Sequence, residues 1–107
     1  MSLFVQKYGG TSVGSVERIQ GVASKVAKAQ AQGHQIVVVV SAMSGETNRL
    51  VGLADAISSN PAPREIDVLL STGEQVTIAL LSMALQQLGI DARSYTGGQV
   101  CIETDSA

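Results

Sequence analysis

The chain has 107 residues, of which 45% are hydrophobic and 15% are charged, and its formal net charge is −2. This length suits one domain or part of one, and the composition is that of an ordinary globular protein. The slightly negative charge provides no basic surface, so nucleic acid is not expected as a partner. The longest apolar stretch, residues 76–85, is about half of a membrane span, so no membrane partner is expected either.

Cysteine and histidine usage limits the location of the protein and its metal chemistry. The single cysteine, Cys101, cannot form a disulfide within the chain, and the opening residues MSLFVQK lack the regions of a signal peptide. We therefore expect a cytoplasmic protein. The single histidine, His34, has no cysteine beside it, so no metal site is expected.

The first half of the chain predicts a strand, a helix and a second strand. Residues 3–7 form the first strand, and the apolar residues of 15–32 fall on one helical face, with Ser15 as N-cap and Gly33 as the stop. Residues 36–40, IVVVV, are an unbroken β-branched run, which is typical of a parallel strand covered on both faces. Together they predict a right-handed βαβ unit.

The second half predicts mainly helices. They are expected at residues 50–59, 64–70 and 71–89, with the sequence NPAP separating the first two. Apolar residues lie nearly all round the third helix, which indicates central burial. Residues 91–95 and 99–104 could add a third and a fourth strand.

Polar, glycine-containing loops follow both predicted strands, with the sequences KYGGTSVG and SAMSGETN. The carboxyl ends of parallel strands meet at one edge of a sheet, so these loops should line one crevice. Gly9 and Gly10 allow the backbone to approach an anion closely, and Lys7 adds a positive charge. The pattern matches neither a P-loop nor a dinucleotide fingerprint. It predicts phosphate binding, and leaves open a plain strand-to-helix turn with a solvated lysine.

Three motifs in register, KYGGTSVGS, VVVVSAMSGETN and STGEQV, resemble the N-terminal signatures of the aspartate kinases within the amino-acid kinase family. The resemblance covers essentially the whole chain. It implies an α/β fold, the parallel-sheet βαβ start of a three-layer αβα sandwich. It also implies that residues 1–107 are the N-terminal portion of the catalytic domain, with the remainder of that domain and the ACT regulatory domains absent from the chain.

The same resemblance implies a reaction. ATP-dependent phosphorylation of the side-chain carboxylate of L-aspartate would give 4-phospho-L-aspartate, the first step toward lysine, methionine and threonine. ATP with Mg²⁺ would enter as a substrate complex, no tightly bound cofactor is implied, and the full-length protein is expected to be a homo-oligomer. A carboxylate with a pKa near ~3.9 is already ionised at neutral pH, so positive charge and positioning are needed rather than a general base. The isolated chain is expected to be inactive.

The resemblance assigns roles to particular residues. Lys7 would be the catalytic charge on the ATP phosphates, beside backbone donors at Gly9 and Gly10. Ser41 would lie near the reacting phosphate. Thr47 would contact the aspartate substrate. Glu74 would accept hydrogen bonds from the α-ammonium group of that substrate. No metal ligand is implied.

The residues alone allow structural alternatives. The Ser41 hydroxyl could satisfy the strand end, and Thr47 could cap a helix. STGE is also a capping-box pattern, in which Glu74 reaches back to the backbone N–H of Ser71. Arg49 could meet a carboxylate in the crevice or lie on a helix surface. Two other functions remain open: a non-catalytic α/β anion-binding module, and an amino-acid kinase acting on another carboxylate.

Overall fold

The computed structural model describes residues 2–96, which contain two strands and three helices. The α/β class is confirmed, whereas the strand predicted at residues 99–104, together with Cys101, lies outside the described residues. In chain order the elements are β1 (Leu3–Tyr8), α1 (Val16–Ala31), β2 (Gln35–Val40), α2 (Glu46–Ile57) and α3 (Pro63–Gln87).

The predicted βαβ unit is confirmed, because β1 and β2 pair in parallel and α1 connects them. The Ser15 hydroxyl caps α1 by accepting a 3.2 Å hydrogen bond from the backbone N–H of Arg18. The chain leaves this helix through Gly33, whose φ of 92° is in the left-handed region that glycine adopts without strain. Both ends of α1 therefore follow from local sequence.

The two faces of the sheet differ in their cover. Helices α1 and α3 pack on the face that carries Ile36, Val38 and Val40. The opposite face, here called the open sheet face, has no covering element among residues 2–96. The prediction that β2 is covered on both faces therefore does not hold for these residues. The open sheet face carries four apolar side chains that are 46–67% exposed: Leu3, Val5, Val37 and Val39.

The core lies between the covered face of the sheet and the helices. Val13, fully buried, anchors the loop after β1 in this core. The remaining buried members of the cluster come from α1, β2 and α3: Ile19, Val22, Ala23, Val26, Val40, Leu81 and Leu85.

Helix α3 replaces the two helices predicted at residues 64–70 and 71–89. It begins with Pro63, whose missing N–H costs nothing in a first turn. The hydroxyls of Ser71 and Thr72 donate back into the helix, to the carbonyl oxygens three residues earlier, at 2.7 Å and 2.6 Å. The predicted break was wrong because these hydroxyls bond within a continuing helix instead of capping a new one.

The buried side of α3 is narrower than the sequence predicted. Only Gly73, Thr77, Leu81 and Leu85 are buried among its residues. By length and composition alone α3 could cross a membrane, but core helices pass the same test and α3 packs against α1 and α2. Several large apolar side chains of α3 are about half exposed: Val68, Val76 and Met83.

The strand predicted at residues 91–95 was wrong. The chain turns out of α3 through Gly89, with φ of 83°, and the Gln86 side-chain amide donates a 3.0 Å hydrogen bond to the carbonyl oxygen of Ala92. A strand needs a neighbouring strand for its backbone hydrogen bonds. Among the described residues, β1 and β2 pair only with each other.

Candidate functional site

The loops that follow β1 and β2 lie against each other at the carboxyl edge of the sheet. The backbone N–H of Ser41 donates a 3.1 Å hydrogen bond to the carbonyl oxygen of Tyr8, which joins the two strand ends. A Cβ atom placed on Gly10 would lie 3.1 Å from the carbonyl oxygen of Ala42, which is tighter than nine in ten Cβ contacts in proteins. The predicted meeting of the two loops is therefore confirmed, and glycine permits their close approach.

The loop after β1 presents free backbone donors. It winds in consecutive turns, in which the N–H groups of residues 12–14 donate to the carbonyl oxygens of residues 9–11. Within residues 2–96, the N–H groups of Gly9, Gly10 and Thr11 donate no hydrogen bond. Unpaired N–H groups just before a helix attract anions, because they combine local dipoles with the positive end of the helix.

Lys7 and Ser41 lie at the same edge. Lys7 is opposite Val39 on the open sheet face, and Ser41, two residues after Val39, continues the same alternation beyond β2. The exposed Lys7 forms no ion pair with any described residue, and the Ser41 hydroxyl forms no hydrogen bond to one. The structural alternative for Ser41 thus loses its support, and both groups are free to meet a ligand.

Thr47 lies in the first turn of α2, which begins four residues earlier than predicted. The N-cap position is Gly45, with φ of 83°, and no side chain caps this helix. The alternative that Thr47 is a helix cap is therefore wrong. Its exposed side chain lies beside unpaired N–H groups of a helix N-terminus, in the chain segment that directly follows Ser41.

Glu74 lies in the middle of α3, exposed to solvent. Since α3 begins at Pro63, STGE is not a helix start and Glu74 does not belong to a capping box. The adjacent Gly73 packs against the loop after β2, where a Cβ placed on it would lie 3.0 Å from the Cβ of Ala42. The structure therefore brings the turn of α3 that carries Glu74 to the loop after β2 and to the start of α2.

Arg49 binds its own helix. Its Nε donates hydrogen bonds of 3.1 Å and 3.2 Å to the two carboxylate oxygens of Glu46. These bonds hold the pKa of Glu46 below its ordinary value, and Glu46 in turn raises the pKa of Arg49. The helix-surface interpretation of Arg49 is confirmed. Opposite charges three residues apart on a helix were the sequence signal for this pair.

Sequence reasoning missed the contribution of Arg18. Its Nη1 atom, in the first turn of α1, donates a 2.9 Å hydrogen bond to the carbonyl oxygen of Thr11. The same oxygen accepts from the N–H of Gly14. No motif marks an arginine seven residues from its backbone acceptor, so only the folded loop reveals the contact.

Comparisons with known proteins identify the family to which the chain is similar. The model of the amino acid kinase family matches residues 2–106. The aspartokinase of Pseudomonas aeruginosa is 68% identical over 107 residues, which are 100% of this chain and 26% of that protein. Aspartokinase 2 of Bacillus subtilis is 61% identical over 106 residues, 99% of this chain and 26% of that protein. The aspartokinase of Thermus thermophilus is 50% identical over 105 residues, with coverage of 98% and 26%.

A solved structure supports the fold directly. The crystal structure of aspartate kinase from Synechocystis matches with a TM-score of 0.78 and 60% identity, over 80% of this chain and 15% of that one. The chain belongs to the amino acid kinase family. It spans about a quarter, 26%, of the length of the curated relatives it matches.

Proposed function

We propose that the chain carries the phosphate and substrate loops of an enzyme that phosphorylates the side-chain carboxylate of L-aspartate with Mg-ATP, giving 4-phospho-L-aspartate. One observation carries the proposal: Lys7, the free N–H groups of Gly9 and Gly10, and the free hydroxyl of Ser41 lie at the same edge of a parallel sheet. The choice of aspartate as acceptor is supported by relatives named aspartokinase at 50–68% identity.

The chemistry requires positive charge more than a base. A carboxylate oxygen of aspartate attacks the γ-phosphorus, the bond from that phosphorus to the bridging β–γ oxygen breaks, and ADP leaves with the electron pair. Both reactants are anions, so the barrier is largely electrostatic. In the proposed arrangement Lys7 neutralises the charge that develops on the transferring group, and the N–H groups of Gly9 and Gly10 hold the phosphate oxygens.

The remaining site residues act on the reacting phosphate and the amino-acid substrate. Ser41 donates a hydrogen bond near the reacting phosphate, at the end of the strand next to Lys7. Thr47 contacts aspartate from the first turn of α2. Glu74 accepts hydrogen bonds from the α-ammonium group. This assignment is supported by the exposure of Glu74 and by its position in the middle of α3, where it belongs to no capping box.

The cellular setting belongs to the same proposal. The product would open the synthesis of lysine, methionine and threonine, and the enzyme would be a cytoplasmic homo-oligomer in its full-length form. The 107-residue chain by itself would be inactive. The proposal rests on relatives of which this chain spans 26%.

The experiment offers different carboxylates to the complete gene product that contains residues 1–107. Mg-ATP is supplied with aspartate, glutamate or acetylglutamate, ADP release is followed, and the acyl phosphate is trapped with hydroxylamine. Turnover with aspartate, absent when the carboxylate is omitted, is the expected result. Preference for glutamate or acetylglutamate would indicate a kinase of another carboxylate. No turnover with any of them would leave a non-catalytic anion-binding module.

A further inference from the structure

Gly73 lies where three parts of the fold meet. It is buried in α3, and a Cβ placed on it would lie 3.0 Å from the Cβ of Ala42, 3.4 Å from the Cγ of Glu46 and 3.5 Å from the Cδ1 of Leu50. These atoms belong to the loop after β2 and to α2. The contact therefore sets how closely α3 approaches both.

No such packing accounts for the other glycines in the helices of the described chain. A Cβ on Gly21 of α1 or on Gly52 of α2 would meet no atom within 4 Å. Glycine in a helix interior is less stable than alanine, so each of the three helices carries an unfavourable residue. Only at Gly73 does close packing with neighbouring elements explain the missing side chain.

A side chain at position 73 would have to displace one of its neighbours. The backbone of Ala42 also lies close to the loop after β1, since its carbonyl oxygen is 3.1 Å from where a Cβ on Gly10 would be. The loop after β2 is thus held between α3 and the loop after β1. Glu74 is the next residue on α3 and is exposed, so a shift of this turn of α3 away from Ala42 would carry Glu74 with it.

We propose that Gly73 is a positioning residue. It fixes the distance between Glu74 on α3 and the loop that begins with Ser41, and so holds the substrate ammonium site in register with the reacting phosphate. This inference rests on the proposed function, because it uses Glu74 as the ligand of the aspartate ammonium group. Gly73 itself touches no substrate and acts through its neighbours.

The test uses four variants of the complete gene product: Gly73→Ala, Ala42→Gly, the double variant, and Gly52→Ala as a matched control. KM for aspartate, KM for ATP and kcat are measured for each. Displacement of a positioned group by a fraction of an ångström weakens its contact, so Gly73→Ala should raise KM for aspartate about tenfold and KM for ATP by less than about twofold. Gly52→Ala should leave both unchanged, since its new methyl group meets open space.

Rescue separates positioning from general damage. Ala42→Gly removes the atom that a new side chain at position 73 would strike, so the double variant should recover the aspartate KM of Ala42→Gly to within about twofold. An unchanged aspartate KM in Gly73→Ala, an equal rise for ATP, or a double variant without rescue would overturn the inference. If Gly73→Ala does not fold, the double variant is compared with Ala42→Gly, and an aspartate KM more than about twofold higher in the double variant overturns the inference.

Failure of the proposed function gives a different result. A wild-type product that does not turn over aspartate overturns the proposed function, and the inference with it. An active wild type whose Gly73→Ala variant keeps its aspartate KM overturns the inference alone.

Discussion

The Nη1 atom of Arg18 donates a 2.9 Å hydrogen bond to the carbonyl oxygen of Thr11, and so ties the first turn of α1 to the loop after β1. Both residues are exposed, so the bond adds at most about 1 kcal/mol to the free energy of unfolding. Its main effect is local: it fixes the loop whose free N–H groups at Gly9 and Gly10 are proposed to bind the ATP phosphates.

Loss of this bond should weaken ATP binding. In the complete gene product, Arg18→Ala removes the one side-chain hydrogen bond described between α1 and this loop, so we expect KM for ATP to rise about three- to tenfold, with a smaller change in KM for aspartate. Lys25→Ala, an exposed change on the same helix, is the control and should behave as wild type. Equal ATP KM values in Arg18→Ala and Lys25→Ala would show that the bond does not order the phosphate loop.

One substitution at Glu74 distinguishes a role in binding the substrate from a role in stabilising helix α3. Glu74→Gln removes a charge-assisted bond to the substrate ammonium, worth about 1.5 to 3 kcal/mol, so KM for aspartate should rise roughly tenfold or more while KM for ATP stays constant. The melting temperature should not change, because Glu74 is exposed and makes no contact that a glutamine would break. Glu65→Gln, on the first turn of the same helix, is the control. An unchanged aspartate KM in Glu74→Gln would remove Glu74 from the site.

The isolated chain should not complete the reaction. Residues 1–107 correspond to 26% of the length of the aspartokinase relatives, and a partial site holds a nucleotide weakly. We expect calorimetry with Mg-ATP to give a Kd no tighter than roughly millimolar, and hydroxylamine to trap no aspartyl phosphate. Micromolar affinity would show that these residues already form a complete nucleotide site.

The open sheet face should make the isolated chain self-associate. Exposed apolar patches drive association, and Val5 and Val37 lie opposite each other on this face, 67% and 47% exposed. The double substitution Val5→Thr and Val37→Thr keeps β-branched residues in the strands while adding hydroxyls, so it should lower the oligomer fraction in sedimentation velocity. Ile57→Thr, 89% exposed at the end of α2, is the control. Equal oligomer fractions in the two variants would place the association elsewhere.

The sequence predicted those parts of the fold whose signals are local. The β-branched run of β2, the Ser15 cap and the Gly33 stop of α1 each act within a few residues, and each was placed correctly. STGE was misread because Ser and Glu three residues apart have the same pattern at a helix start and inside a helix. Only the continuation of α3 back to Pro63 distinguishes the two.

The rest depends on distances between elements far apart in the chain. The contacts of Gly10 and Gly73 with Ala42 arise only when three elements meet, and no pattern within one of them reveals such a contact. The strand predicted at residues 91–95 has suitable residues but no neighbouring strand among those described. The meeting of the two loops could thus be predicted from the sequence, whereas the packing between elements that positions them could not.

The rate of the Lys7→Ala variant of the complete gene product shows most directly whether phosphoryl transfer takes place at the edge of the sheet shared by Lys7, Gly9, Gly10 and Ser41. Lys7 is exposed and has no ion-pair partner among residues 2–96, so its removal should not affect folding. At saturating Mg-ATP and aspartate, kcat should fall about 10²-fold or more, because a charge that stabilises the transition state is lost. A kcat within about threefold of both the wild type and the Lys25→Ala control would contradict the claim.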